Sequence, residues 1–91
     1  MVEIYAFAHS ARRHGISEWR IRHVVSSCLM PYHLPDALSG SGDLVLFLGP
    51  DPHGVPLEVV ARDPGDGRLT VFHAMKMRPG YQRLYEGLRC R

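Results

Sequence analysis

The stretch DLVLFLGPDPHGVPLEVVARDPGDGRLTVFHAM, residues 43–75, decides the fold. DLVLFLG (43–49) is a continuous apolar run bounded by turn residues, which reads as a central strand. PLEVVAR (56–62) and RLTVFHAM (68–75) read as two more strands. PDPHG (50–54) and DPGDG (63–67) between them are rich in Pro, Asp and Gly, the residues that close tight turns. Connections this short join antiparallel neighbours, because a parallel crossover needs a dozen residues or more. The centre of the chain is therefore expected to be an antiparallel meander.

Outward from it, MPYHLP (30–35) reads as a short extended piece whose two prolines suit only a sheet edge. DALSGSGD (36–43) is a polar turn. Upstream, Ser17 and Glu18 mark a helix start. Ile16 and Ile21 are spaced as a hydrophobic staple. Ile21, Val24, Val25 and Cys28 then follow at helical spacing, and Pro31 limits the helix. Residues 4–14 are expected to form an earlier helix stopping at Gly15. Downstream of Pro79 a last helix is expected over about 80–87, ending near Gly87. The expected fold class is α+β: N-terminal helices, an antiparallel sheet of 3–4 strands, and a C-terminal helix. The chain is short enough to be a single domain, 1–91.

The hydrophobic share of 45% suits a globular chain. No run approaches the roughly 20 apolar residues of a membrane span. MVEIYAFAHSARRHG lacks a signal-peptide layout, since Glu3 and later charges interrupt the apolar run. The expected compartment is the cytoplasm, with no membrane partner. Cys28 and Cys90 have no finger-like spacing, and both are expected to be reduced thiols.

The net charge of +2 conceals a strong asymmetry. Residues 1–30 hold four arginines against two glutamates, and residues 67–91 hold six cations against Glu86. Residues 31–66 hold one arginine against six acids. If the two ends meet in space they form one basic face, and the planar fork of arginine suits phosphate.

None of the six histidines lies in a metal-binding motif, and no phosphate-binding glycine loop or nucleophile elbow is present. No cofactor and no metal site are expected. The chemistry-bearing residues concentrate in 73–85: His73, Lys76, Arg78, Tyr81, Arg83 and Tyr85. Such a cluster can hold phosphates with its cations and stack bases on its tyrosines. The same side chains suit metal-free RNA cleavage, in which a ribose 2′-OH attacks the adjacent phosphate. His73 can serve as base or acid, with Tyr81 as a weaker alternative. Lys76 and Arg78 can stabilise the developing charge. Glu58 can be the base or orient an arginine.

Each residue also has a structural reading. Leu69, Val71, His73 and Met75 alternate onto one face, so His73 can be a core histidine. Tyr81, Leu84, Tyr85 and Leu88 have core spacing on a helix. Glu58 can pair with Arg62 or Arg68 across the sheet. Arg12, Arg13 and His14 can complement a helix C-terminus or bind nucleic acid, and Arg83 can be a solvated cation.

RRHGIS (12–17), LEVV (57–60) and the final strand leading to an Arg/Tyr-bearing helix together resemble the BrnT-like toxins, part of the RelE-like superfamily of toxin–antitoxin ribonucleases. Arg13-His14-Gly15-Ile16-Ser17 is similar to that family's Lys-His-Gly-Val/Ile-Ser/Thr opening. His73-Ala74-Met75 stands where the family has a Ser-Ala-Arg-like step, with the cations displaced to Lys76 and Arg78. HAMKMRPGYQRL (73–84) resembles the mark of a divergent, actinobacterial-type subgroup. The resemblance implies a type II toxin that cleaves mRNA without metal, with RNA and an adjacent-gene antitoxin as partners. A second copy of the chain is a further candidate partner. On this expectation Glu58, His73, Lys76, Arg78 and Tyr81 are catalytic, and Arg12, Arg13, His14 and Arg83 bind nucleic acid. The competing expectation is a non-catalytic module that binds nucleic acid or a protein with the same basic face, or a domain that only pairs with another chain through 31–35.

Overall fold

The structure, a computed structural model, describes residues 3–28, 31–34 and 43–89. Of the expected turn at 36–43 only Asp43 is among these, and Met30 and Pro35 of the expected piece 30–35 lie outside them, as do Cys90 and Arg91. The elements in chain order are β1 (Glu3–Phe7), a 3-10 turn (His9–Arg12), α1 (Glu18–Ser27), β2 (Tyr32–Leu34), β3 (Asp43–Pro50), β4 (Pro56–Asp63), β5 (Arg68–Lys76) and α2 (Pro79–Arg89). They form an α+β fold around a single five-stranded sheet of order β1-β5-β4-β3-β2.

The three central strands and both long helices stand close to their expected bounds. The N-terminus does not. Residues 4–14 are not a helix: they make β1 and the 3-10 turn, and β1 lies parallel to β5. The sheet is therefore mixed and five-stranded rather than an antiparallel meander of 3–4 strands. The cause is the open edge of β5. Glu3 N–H donates to Gly67 O at 3.0 Å and Ala8 N–H to Val71 O at 2.7 Å, on either side of the Glu3–Phe7 pairing with Arg68–Val71. A strand there gives that edge of β5 backbone partners, which a helix does not supply.

Alternation along the strands gives the sheet two different faces. Val45, Phe47, Leu57, Val59, Ala61, Leu69, Val71 and Ala74 pack with Ala11, Ile16, Ile21 and Val24 beneath α1 and the 3-10 turn. Full burial of an aliphatic side chain such as Ile21 contributes about 1.5–3 kcal/mol, so this face carries most of the apolar stabilisation. The opposite face carries a smaller cluster, Leu46, Leu48 and Met77, joined by Tyr32, Val60, Tyr81 and Tyr85. Ser17 holds the N-cap position of α1 in extended backbone without a side-chain cap bond. Ile16 and Ile21 are both buried, as a staple requires.

Asp51 ties α1 to the β3–β4 hairpin. Its Oδ1 accepts from His53 N–H (2.8 Å) and Val55 N–H (2.9 Å), closing the turn. Its Oδ2 accepts from Arg20 Nε at 2.7 Å. Burial would raise the Asp51 pKa, but these backbone bonds and Arg20 outweigh it and hold the carboxyl below its ordinary value.

One irregularity matters for function. On β4 and β5, Ala61 pairs with Val71 but Val60 pairs with His73, so Phe72 is an extra residue in β5. This β-bulge breaks the expected alternation. Leu69, Val71 and Ala74 face the α1 side, whereas His73, opposite Val60, faces the side of Glu58 and α2. His73 is not a core histidine on the Leu69–Val71 face.

Candidate functional site

Glu58 is fully buried in β4, one step along from Val60 on the same face. A buried carboxylate must be paired, and its partners come from two later elements. Arg78 donates its backbone N–H (2.9 Å) and Nε–H (3.0 Å) to Oε1, and Nη2–H (2.7 Å) to Oε2. His73 Nε2 lies 2.9 Å from the same Oε2. Burial alone would raise the Glu58 pKa. The Arg78 side chain, the Arg78 amide and His73 together reverse this and hold it below the ordinary range. Glu58 in turn raises the pKa of Arg78.

The local sequence explains the placement of Arg78. Pro79 opens α2, where a missing N–H costs nothing. The preceding Arg78 offers its carbonyl to Gln82 N–H (2.9 Å), and Gln82 Nε2–H donates to Met77 O (3.0 Å). With its backbone fixed at the helix entry, the Arg78 guanidinium lies 5.5 Å from the centre of the Tyr81 ring. Just over half of its side chain remains exposed. Its Nη1 donors are not used by Glu58.

An ionised carboxylate only accepts hydrogen bonds, so Nε2 of His73 is the protonated nitrogen. Nδ1 then carries no partner among the described residues and is an acceptor in the neutral ring. The His14 ring meets His73 edge-on, with centroids 5.7 Å apart and an interplanar angle of 78°. Ser10, Arg13, His14, Val60, Phe72, His73 and Arg78 line an open cleft of about 330 Å³. Ser10 Oγ–H donates to Phe72 O at 2.6 Å, which fastens the 3-10 turn to the bulge. The basic ends of the chain do meet here: Arg13 and His14 come from one, His73 and Arg78 from the other.

The site residues expected from sequence divide into those the fold gathers and those it does not. Glu58 joins His73 and Arg78, Arg78 lies over the Tyr81 ring, and Arg13 and His14 line the same cleft as His73 and Arg78. Arg12 instead pairs with Glu18 at 2.9 Å. Lys76, at the end of β5, and Arg83, on α2, are exposed and outside the cleft lining. Glu58 takes neither of its two expected cross-sheet partners. The Arg62 guanidinium lies over Phe72, and that of Arg68 lies over Tyr5. Ser10 and Phe72 were not expected. No sequence signal marks them, because both depend on a bulge that pattern reading does not locate.

Among the described residues, no group of three or more His, Cys, Asp or Glu is placed to hold a metal ion, and no helix is long and apolar enough to cross a membrane. Compared with known protein families, characterised proteins and solved structures, the chain matches none.

The reading of the site therefore rests on its own geometry. It offers two imidazoles, one with its tautomer set by Glu58, and two arginines that line one cleft. That set can hold an anion and move protons at it.

Proposed function

We propose that the chain is a metal-independent endoribonuclease acting on mRNA, the toxin of a type II toxin–antitoxin pair. The observation that carries the catalytic half is His73, held through Nε2 by buried Glu58 in a cleft shared with Arg78, Arg13 and His14. His73 Nδ1 takes the proton of the ribose 2′-OH as that oxygen attacks phosphorus. Arg78, through Nη1, and Arg13 hold the non-bridging oxygens as charge develops on them. His14, protonated, gives its proton to the 5′ oxygen as the P–O5′ bond breaks. The products are a 2′,3′-cyclic phosphate and a 5′-hydroxyl end, with no net consumption of protons.

The antitoxin half follows the sequence resemblance. It is tested by co-expressing the product of the neighbouring reading frame, which is expected to bind the chain and abolish growth arrest. The catalytic half is tested by incubating end-labelled mRNA with the purified protein in EDTA. The expected result is cyclic-phosphate ends, lost in Arg78→Ala together with growth arrest on expression. Undiminished arrest by Arg78→Ala would remove this site from consideration.

A second reading is favoured by one detail. Both His73 and Arg78 are engaged by Glu58, as they would be in a purely structural clamp joining β4, β5 and α2. A non-catalytic module would then bind nucleic acid or a partner protein through the same basic face. It would give salt-sensitive RNA binding and no cleavage products.

A further inference from the structure

We infer that Phe72 is a nucleobase-stacking subsite, so that the cleft takes single-stranded RNA with one unpaired base lying against the Phe72 ring. The base would sit beside the phosphate held by Arg78 and Arg13. This inference rests on the reading of the cleft as an RNA site and adds what that site selects.

The first observation is where Phe72 is not. A phenylalanine is ordinarily a large contributor to a core. Phe72 belongs to neither apolar cluster and remains partly exposed. It lines the cleft, next in sequence to His73. The second observation is how it comes to be there. The bulge inserts Phe72 as an unpaired residue in β5, next to a candidate site, where such bulges re-aim side chains. Its carbonyl is taken up by Ser10 Oγ at 2.6 Å, so the backbone that carries the ring is held.

The third observation is the surroundings. The Arg62 guanidinium lies 5.8 Å from the ring centre, so the ring already acts as a platform for a planar cation. Arg13 and Arg78 border the same opening. An aromatic ring beside cations is the combination that binds a nucleotide unit, base on ring and phosphate on cation. A base within a duplex has both faces covered by its neighbours, so only an unpaired base can reach the ring.

The experiment uses short single-stranded RNAs carrying 2′-O-methyl riboses throughout, which removes the attacking hydroxyl and isolates binding. An abasic residue is scanned along the strand, and binding to the full chain is followed by fluorescence anisotropy. At one position the abasic residue is expected to weaken binding to the unsubstituted protein by at least about five-fold. Phe72→Leu is expected to lose the same factor on the intact strand and to be indifferent to the abasic residue. Phe72→Trp is expected to retain the preference. On cleavable RNA, Phe72→Leu should raise KM and leave kcat unchanged. Equal binding of intact and abasic strands at every position overturns the subsite, as does an abasic penalty that survives in Phe72→Leu. Absence of any RNA binding overturns both the subsite and the RNA reading. An abasic penalty without any cleavage of unmodified RNA supports the subsite while removing the ribonuclease.

Discussion

Glu58 is a charge with no exposed surface, so its partners determine how the chain responds to substitution and to acid. Replacing it by glutamine keeps the shape and removes the charge. The amide can donate to His73 Nε2, which places the imidazole proton on Nδ1 and leaves His73 no free acceptor nitrogen toward the cleft. Glu58→Gln is therefore expected to lower RNA cleavage by about 10²–10⁴-fold, the usual contribution of a positioned general base. Its stability is expected to fall by about 1–3 kcal/mol through loss of charge-assisted bonds. Urea unfolding beside single-turnover cleavage separates the two effects. A variant that loses stability but not rate would show that His73 is not tuned through Glu58. The pH response has a definite sign. Glu58 and Asp51 both have folded pKa values below the ordinary 4.5 and 3.8. The unfolded chain thus binds protons more readily. Their stabilisation is complete above the ordinary values and is lost as pH falls through the folded ones. Thermal melts are expected to hold steady from pH 7 to about 5 and to decline steeply below about 4. The decline should be shallower in the Asp51→Asn/Glu58→Gln double variant; an equally steep decline there would assign acid sensitivity to other groups.

At the level of elements, β3, β4 and β5 were legible because continuous apolar runs bounded by Pro, Asp and Gly have few alternatives. Strand β1 was not, since Ile4, Phe7, Ala8 and Ala11 also fall at i, i+3, i+4 and i+7, the spacing of a helix face. What makes it a strand is pairing with β5 more than sixty residues away, and no local pattern carries that information. The candidate site was half legible for a related reason. The residue types in 73–81 suggested chemistry, but the bulge at Phe72 decides which face His73 takes and which carboxylate it meets. Deleting Phe72 is expected to restore a regular β4–β5 ladder with His73 still opposite Val60. The fold should survive, shown by dispersed amide NMR signals, while RNA binding through the cleft is lost. A collapsed spectrum would mean that the bulge is needed for folding itself. Gly15 makes a second element-level test. It has φ +73° after the turn that carries Arg13 and His14, and nothing lies within 4 Å of a Cβ built there. Gly15→Ala is thus expected to cost about 1–2 kcal/mol purely through backbone strain. Gly15→Asn, which tolerates that region better, should cost less in the same urea titration.

For the whole molecule, the question is what becomes of ten cations placed at the two ends of the chain. The fold divides them by role. Arg12 and Arg20 are paired with Glu18 and Asp51, and Arg22 and Arg68 lie over the rings of Phe7 and Tyr5. Arg13 has no ion-pair partner among the described residues, and Arg78 keeps part of its guanidinium unused, so the cleft holds the two side chains best able to meet phosphate. The count of ten end cations therefore overstates the electrostatic footprint, and the salt dependence of binding should reveal the smaller number. With two or three phosphates neutralised, log K for single-stranded RNA is expected to fall with log salt at a slope of about −1.4 to −2. Arg13→Ala should make that slope shallower by about 0.7 without altering which abasic position weakens binding. Arg12→Ala, which frees only Glu18 at the surface, should leave it unchanged. A slope much steeper than this in the unsubstituted chain, untouched by Arg13→Ala, would move RNA off the cleft and onto a diffuse basic surface in which Lys76 and Arg83 take part.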